Sequence, residues 1–387
     1  MTQKKVLLAQ NSAFIANRLP RAARALKEAG YEVEILNWNR GVNAEIIENA
    51  TATFQAEGIK VHSIFCGHTP YGKGIITTFN KLLFIIKVVF FLFKHGQQYK
   101  VVHAIDFDLG LPVYLAKHLN QKLKFEFVYD IADFVETFHS PIPKSIRKMV
   151  KKLSERIMEY ARFIIIPDEN RLINIPANCH EKTVIINNSI DPPKETRDYP
   201  VTVHKNMLNI FYYGALSKDR GIELLLKQKN VALWFAGKGE LQDDIKAHAN
   251  KYDTIHYLGY LGFEETLSVA SQMDIIYMVY DPNYQHNQIA SPNKLYEALY
   301  LGKPCIVAEN TSVDTFVEKY DIGYVTKFDE HNLQNVIAEI NHKELAAGLE
   351  ELATKGKHAK EIYTNFSWDA SKKRLVEIYN SITMWGE

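Results

Sequence analysis

Cysteine is scarce in this chain: Cys66, Cys179 and Cys305 are the only three in 387 residues, far apart and without metal-ligand spacing. That excludes a disulfide framework and a cysteine-built metal site, and points to reduced thiols in a reducing compartment. Net charge is equally scant. At a formal +1 the chain has no general attraction for nucleic acid, so any basic patch has to be local. Low-complexity tracts and short-period repeats are absent. No secretory leader opens the sequence, because Lys4-Lys5 precedes only the strand-length apolar run Val6-Leu7-Leu8-Ala9. The expectation is a protein that stays on the cytoplasmic side.

What is present describes a folded protein of two domains. Hydrophobic residues make up 47% and charged residues 24%, and the length suits two cores of roughly 150–200 residues. The first half alternates strand and helix signals. Val6–Gln10, Tyr31–Trp38, Lys60–Ile64, Val101–Ile105, Phe125–Tyr129 and Phe163–Pro167 read as strands. Asn17–Ala29 reads as a helix, with Leu19, Ala22, Ala23 and Leu26 at helical spacing and Gly30 to stop it. Around Asp191–Asn206 the pattern lapses into Pro192-Pro193, charges and Pro200, a linker. A second set follows: strands at Leu208–Tyr213, Ala232–Ala236, Thr254–Leu258, Ile275–Val279 and Pro304–Ala308, with helices at Gly221–Lys227 and Leu241–Asn250. Such alternation predicts two doubly wound, Rossmann-like α/β halves, at 1–200 and 205–369, facing each other across a cleft.

In the second half, four loops leave strands with small or polar residues where a ligand could approach. Gly214–Gly221 turns from a strand into a helix with Arg220 at its start. Gly237-Lys238-Gly239 and Gly259-Tyr260-Leu261 end two further strands. Ser291-Pro292-Asn293 opens a helix over Lys294–Leu301 that Gly302 stops. Ser291 suits the N-cap of that helix and Pro292 its first position. The N–H groups that follow attract an anion, and Arg220 can add a bidentate charge to the same diphosphate. Glu297 lies one turn beyond Asn293, where a carboxylate can bond both hydroxyls of a ribose.

Taken together, these residues resemble glycosyltransferase family 4. The resemblance runs through Gly214-x-Leu216-Ser217-x-x-Arg220-Gly221, Ala236-Gly237-x-Gly239, Leu258-Gly259-Tyr260 and Asn293-Lys294-x-x-Glu297-Ala298-x-x-x-Gly302-Lys303-Pro304. Val102-His103-Ala104-x-Asp106, Tyr129-Asp130-x-x-Asp133 and Tyr363-x-x-Phe366-Ser367-Trp368 extend it over nearly the whole chain. The resemblance implies a GT-B fold, whose terminal helix (370–387) packs back on the first domain. It also implies a nucleoside-diphosphate sugar of UDP or GDP type as donor substrate, transfer with retention, and neither metal nor other cofactor. Carried over by position, Arg220, Gly214, Ser291, Pro292, Asn293 and Lys294 meet the diphosphate, Glu297 the ribose, and Gly237, Gly239, Tyr260 and Leu261 the base. The departures are Ala215 where the family often has Arg, Ala132 where it has His, and Ile289 where a glutamate commonly grips the donor sugar. Asn287, Gln288 or Lys294 could supply those sugar contacts instead. The sequence is similar to the Pro-Asn-Lys-Leu-x-Glu subgroup, many of whose members build bacterial surface polysaccharides. An epimerase of the same fold and a non-catalytic sugar-nucleotide-binding protein are the alternatives.

The first half is expected to bind the acceptor. Asn11 and Ser12 follow the first strand; His103, Asp106 and Asp108 follow a later one; Asp130 and Asp133 follow the next. Asp133, ahead of Asp130, Asp106 and His103, is the carboxylate favoured to take the acceptor's proton or support developing positive charge. Finally, Gly74–Phe93 is very apolar, while Lys73, Asn80, Lys87 and Lys94 recur every seven residues and Lys81 widens their face. A spanning helix would bury Lys81 and Lys87 at about 2.5–3.5 kcal/mol each. The segment is therefore either an interfacial helix, touching the membrane through Lys81, Lys87, Lys94 and Phe90, or a helix packed on the first sheet. Lys144, Arg147, Lys148, Lys151 and Lys152 make a second basic helix start suited to anionic lipid. Both features fit a lipid-linked acceptor at the inner membrane surface.

Overall fold

A computed structural model describes residues 4–11, 18–42, 44–69, 75–137, 144–193, 198–342 and 345–384. The chain divides into two compact units, one comprising Met1–Asn187 with Ser371–Glu387, the other Asn188–Ala370.

The first unit is built on seven parallel strands: β1 (Lys5–Gln10), β2 (Glu32–Asn39), β3 (Lys60–Phe65), β4 (Val101–Ile105), β5 (Glu126–Asp130), β6 (Phe163–Ile166) and β7 (Thr183–Ile185). Their order is β3-β2-β1-β4-β5-β6-β7. Central strands β1 and β4 are buried on both faces, which is why they read as unbroken apolar runs rather than alternating ones. The connecting helices are α1 (Arg18–Glu28), α2 (Ala44–Ala56), α3 (Ile75–His95), α4 (Asp106–Leu119) and α5 (Lys144–Tyr160). Strand order reverses at β1, so right-handed crossovers put α1 and α2 on one face of the sheet and α3, α4 and α5 on the other.

The second unit has six parallel strands: β8 (Leu208–Ala215), β9 (Val231–Lys238), β10 (Ile255–Tyr257), β11 (Ile275–Met278), β12 (Cys305–Ala308) and β13 (Gly323–Thr326). They are ordered β10-β9-β8-β11-β12-β13. Alternate residues of β8 feed separate cores, with Leu208, Ile210 and Tyr212 on one face and Phe211 and Tyr213 on the other. The helices here are α6 (Ile222–Leu225), α7 (Gln242–Lys251), α8 (Phe263–Gln272), α9 (Gln285–Gln288), α10 (Asn293–Leu301), α11 (Val313–Tyr320), α12 (Glu330–His342) and α13 (Leu345–Phe366). The last helix, α14 (Trp368–Met384), is started by the Ser367 hydroxyl accepting the Ala370 N–H, and from Ser371 onward belongs to the first unit. There Tyr379 and Asn380 bond His103 and Tyr31.

Two expectations are corrected. Pro292, not Ser291, is the N-cap of α10, with extended backbone (φ −71°, ψ 136°), and Asn293 is the first helical residue. The proline ring fixes φ but ψ stays open, and here it is extended. The Ser291 hydroxyl instead turns inward to the Tyr296 hydroxyl at 3.2 Å.

The second correction concerns α3. Its polar stripe does not face outward as a unit. Asn80 is buried and bonds Thr69; Lys81 pairs with Asp108 at 2.6 Å; Lys87 donates to the Phe65 carbonyl at 2.7 Å. Lys73 lies outside the described residues, Thr77 is half-buried, and Lys94 is exposed. The packed-helix reading holds for one face, where Phe84, Val88 and Leu92 have no exposed surface. The opposite face shows Phe79, Leu82, Ile86 and Phe90 to solvent.

Candidate functional site

The carboxyl ends of β8, β9 and β10 form a rim of glycine. Gly214, Gly237 and Gly259 all have positive φ (+112°, +135° and +75°), and Gly237 donates its N–H to the Gly259 carbonyl at 2.7 Å. A Cβ on Gly237 would lie 1.9 Å from the Gly214 carbonyl oxygen, so the close approach of the two strand ends requires glycine at 237, while at Gly214 it is the positive φ that favours glycine. Over this rim opens a cavity of about 270 Å³, lined by Tyr213, Gly214, Gly237, Lys238, Tyr260 and Leu261 among others. Gly237, Tyr260 and Leu261, expected around a base, share that wall. Gly239 is not on it; it lies against Leu216, whose carbonyl a Cβ would meet at 2.4 Å. Lys238, between the two glycines of that loop, also lines the cavity, its ammonium 4.9 Å from the Tyr260 ring; Thr266 on α8 is a lining residue with no signal in the sequence.

Next to the cavity, Tyr213 links β8 to α10. Its hydroxyl donates a 2.6 Å hydrogen bond to Glu297, which is buried. Burial and the Glu297 charge hold the phenol well above its ordinary range, so it stays a donor.

Lys294, one turn earlier, sits among aromatic rings. Its Nζ is 3.8, 5.2 and 5.5 Å from the ring centres of Tyr212, Tyr213 and Tyr280. Arg220 lies 4.4 Å over the same Tyr280 ring. Two cations thus share one ring, and burial first, then the neighbouring Arg220 charge, pull the Lys294 ammonium well below its ordinary range. Two cations held beside one ring can meet a single multivalent anion together.

Arg220 is held from below. Its Nε lies 3.4 Å from Asp219, and its Nη1 donates to Asn287 Oδ1 at 3.3 Å. Burial alone would raise the Asp219 carboxyl, but the Ser217 hydroxyl, Arg220, His286 and Asn287 outweigh it and hold it ionised. Asn287 has no exposed surface, and its Nδ2 bonds the Asp281 carbonyl at 3.0 Å. Both ends of its amide are committed, so it positions Arg220 rather than reaching toward a sugar. Gln288 is exposed and donates to the Pro282 carbonyl at 2.8 Å.

In the first unit the carboxylates expected after β4 and β5 do gather. Asp106 has left-handed backbone (φ +62°), and its Oδ1 accepts the N–H groups of Ala132 and Asp133 at 2.9 and 3.0 Å. Burial, then Asp133, Asp130 and Asp108, push its carboxyl up to about 8. Asp133 is exposed, 3.9 Å from Arg171. Asp130 is buried and held through one oxygen: Arg18 donates to its Oδ2 at 2.7 Å and His103 lies 3.3 Å from the same atom. His103 is itself pinned by the Tyr379 hydroxyl at 2.8 Å. Asn11 turns its amide to Asp108 at 2.6 Å, and Ser12 lies outside the described residues. Among the described residues no group of three or more His, Cys, Asp or Glu is placed to hold a metal ion.

Residues 209–354 match the family model described as Glycosyl transferases group 1, which supports a glycosyltransferase. No curated protein matches the chain by sequence. Among solved structures, the chain is similar to a sucrose-phosphate synthase of Thermosynechococcus elongatus (TM-score 0.70, 16% identity, 98% of this chain and 99% of that one). It is similar to Anabaena HepE solved with UDP and glucose (TM-score 0.67, 14% identity, covering 98% and 100%). A third likeness is the E. coli structure described as trehalose-6-phosphate bound with UDP-2-fluoro glucose (TM-score 0.68, 9% identity, covering 97% and 98%). These likenesses show the fold, which is GT-B.

Proposed function

We propose that this protein is a retaining glycosyltransferase that moves a sugar from a nucleoside diphosphate to a lipid-linked glycan acceptor in cell-surface polysaccharide synthesis, at the inner face of the membrane. The observation that carries the reading is the cation pair Arg220–Lys294 beside the Tyr280 ring, next to the start of α10 and a glycine-rimmed cavity. Neighbours of the same fold were solved with UDP and glucose or a UDP-sugar, which favours UDP as the carrier.

In this reading the bond from the sugar's anomeric carbon to the diphosphate breaks, and negative charge grows on the leaving phosphate. Arg220, Lys294 and the first N–H groups of α10 meet that charge, so no metal is required for it. Glu297 holds the ribose, and Gly237, Tyr260 and Leu261 border the base. The acceptor hydroxyl then bonds to the anomeric carbon and gives up its proton. Asp133, which is exposed, is the carboxylate suited to receive it, since Asp106 is held mostly protonated at neutral pH and Asp130 is tied to Arg18 and His103.

The test combines two measurements. A thermal-shift panel of UDP, GDP, ADP and CMP should stabilise the protein with one base preferred, because a ligand that binds only the native state raises its stability. Incubation with the matching sugar nucleotide and a lipid-linked acceptor should give a glycosylated lipid whose anomeric configuration matches the donor's. Isomerised donor without acceptor would establish an epimerase instead. Binding without turnover of any donor would establish a non-catalytic protein.

A further inference from the structure

The outward face of α3 is the largest feature that the reaction leaves unused. Ile76, Phe79, Leu82, Ile86 and Phe90 are 69, 64, 56, 43 and 65% exposed. Their spacing of three or four residues sets them along one side of the helix, opposite the inward Phe84, Val88 and Leu92. Exposed apolar stripes of this size mark interaction surfaces rather than ordinary solvent faces. Ile76–Gln98 is long and apolar enough to cross a membrane. With one flank packed into the first unit, however, it can leave only by unfolding that unit.

A second exposed surface stands on the same side of the sheet. α4 packs against both α3 and α5. On α5, Ile146 and Met149 are 44 and 64% exposed among the exposed Lys148, Lys151 and Lys152. Neither α3 nor the first ten residues of α5 contains an acidic residue.

We infer that the outward faces of α3 and α5 together dock the first unit on an anionic bilayer surface, with Phe79, Leu82, Ile86 and Phe90 entering the headgroup boundary and Lys148, Lys151 and Lys152 meeting lipid phosphates. Charge decides between occupants. A symmetric pairing of two copies through this face would set the same cations against each other, because the same patch meets itself across the axis. An anionic surface satisfies them, and its acyl boundary takes the apolar stripe. The inference rests on the surface of the first unit alone, so it can fail while the transfer reading holds, and the reverse.

Flotation of the full chain with phosphatidylcholine vesicles, with and without phosphatidylglycerol, tests it. Binding is expected only with phosphatidylglycerol and should weaken as salt rises. Lys148→Gln, Lys151→Gln and Lys152→Gln together should weaken it about a hundredfold. Phe79→Gln with Phe90→Gln should weaken it about tenfold or more. Both variants should keep the parent's unfolding temperature and nucleotide affinity, which separates lost docking from lost folding. No binding to either vesicle, equal binding to both, or self-association in solution through this face would overturn the proposal. Binding that survives both sets of substitutions would overturn it as well.

Discussion

The Tyr213 hydroxyl donates a 2.6 Å hydrogen bond to the Glu297 carboxylate, joining the carboxyl end of β8 to the first turns of α10 beneath the glycine-rimmed cavity. If Glu297 grips a ribose, this bond aims its Oε2 and fixes the orientation of the carboxylate. Glu297→Gln should weaken binding of the nucleotide about 10–100-fold, equivalent to about 1.4–2.7 kcal/mol. Tyr213→Phe should cost a smaller part of that affinity, together with about 1–2 kcal/mol of stability. Calorimetric titration with UDP and thermal unfolding measure the two effects. Unchanged affinity in both variants would remove the pair from the site.

Lys294 yields a prediction in which stability and function part company. Its ammonium is buried against three tyrosines and pulled well below its ordinary range by burial and by Arg220. Between the folded pKa and 10.5 the unfolded chain binds more protons than the folded one, so this group's contribution is fully present above 10.5 and lost as pH falls. Lys294→Met should therefore raise the unfolding temperature of the ligand-free protein and remove most of the stabilisation that UDP confers. In the parent, a bound diphosphate should raise the lysine's pKa again. Proton uptake should then accompany binding, and affinity should fall as pH rises. Titrations in buffers of different ionisation enthalpy report that uptake, and its absence would contradict the role.

How far the sequence carried this depends on distance along the chain. The glycines ending β8, β9 and β10 were legible because a strand run followed by Gly is a local signal. So was the start of α10, although proline's open ψ moved its cap by one residue. β7 and β13 escaped notice because they are short edge strands, half-buried and without strict alternation. The tyrosines around Lys294 come from positions 212, 213 and 280, and only folding brings them to one ammonium. Asn287 shows the same limit: its type suited a sugar contact, but burial spends its amide on Arg220. For α3 the seven-residue polar repeat was real, yet periodicity gives faces without saying which one turns inward.

Glu34 on β2 should dominate part of the acid response. It is buried and accepts from the Tyr99 hydroxyl at 2.6 Å, His62 at 2.8 Å and Lys5 at 2.9 Å. Burial alone would raise its carboxyl, but these donors hold it at about 2. Its folded pKa lies below the ordinary 4.5, so its stabilisation is full above pH 4.5 and lost as pH falls toward 2. Unfolding temperatures across that window should drop more steeply for the parent than for Glu34→Gln. Parallel curves would show that the cluster contributes nothing pH-dependent.

The glycine rim allows a paired test of whether strand-end packing or backbone freedom shapes the cavity. Gly237 and Gly259 both have positive φ, but a Cβ at Gly237 would stand 1.9 Å from the Gly214 carbonyl oxygen while one at Gly259 would meet nothing within 4 Å. Gly259→Ala should cost only the backbone strain, about 1 kcal/mol, and leave UDP affinity nearly unchanged. Gly237→Ala must also push β8 and β9 apart where they line the cavity, so it should cost about 2–4 kcal/mol. It should also weaken UDP binding more than tenfold. Chemical denaturation and calorimetry on the two variants read these effects side by side. Equal losses at both positions would mean that φ alone sets the requirement for glycine, and that the close approach of the two strands does not shape the site.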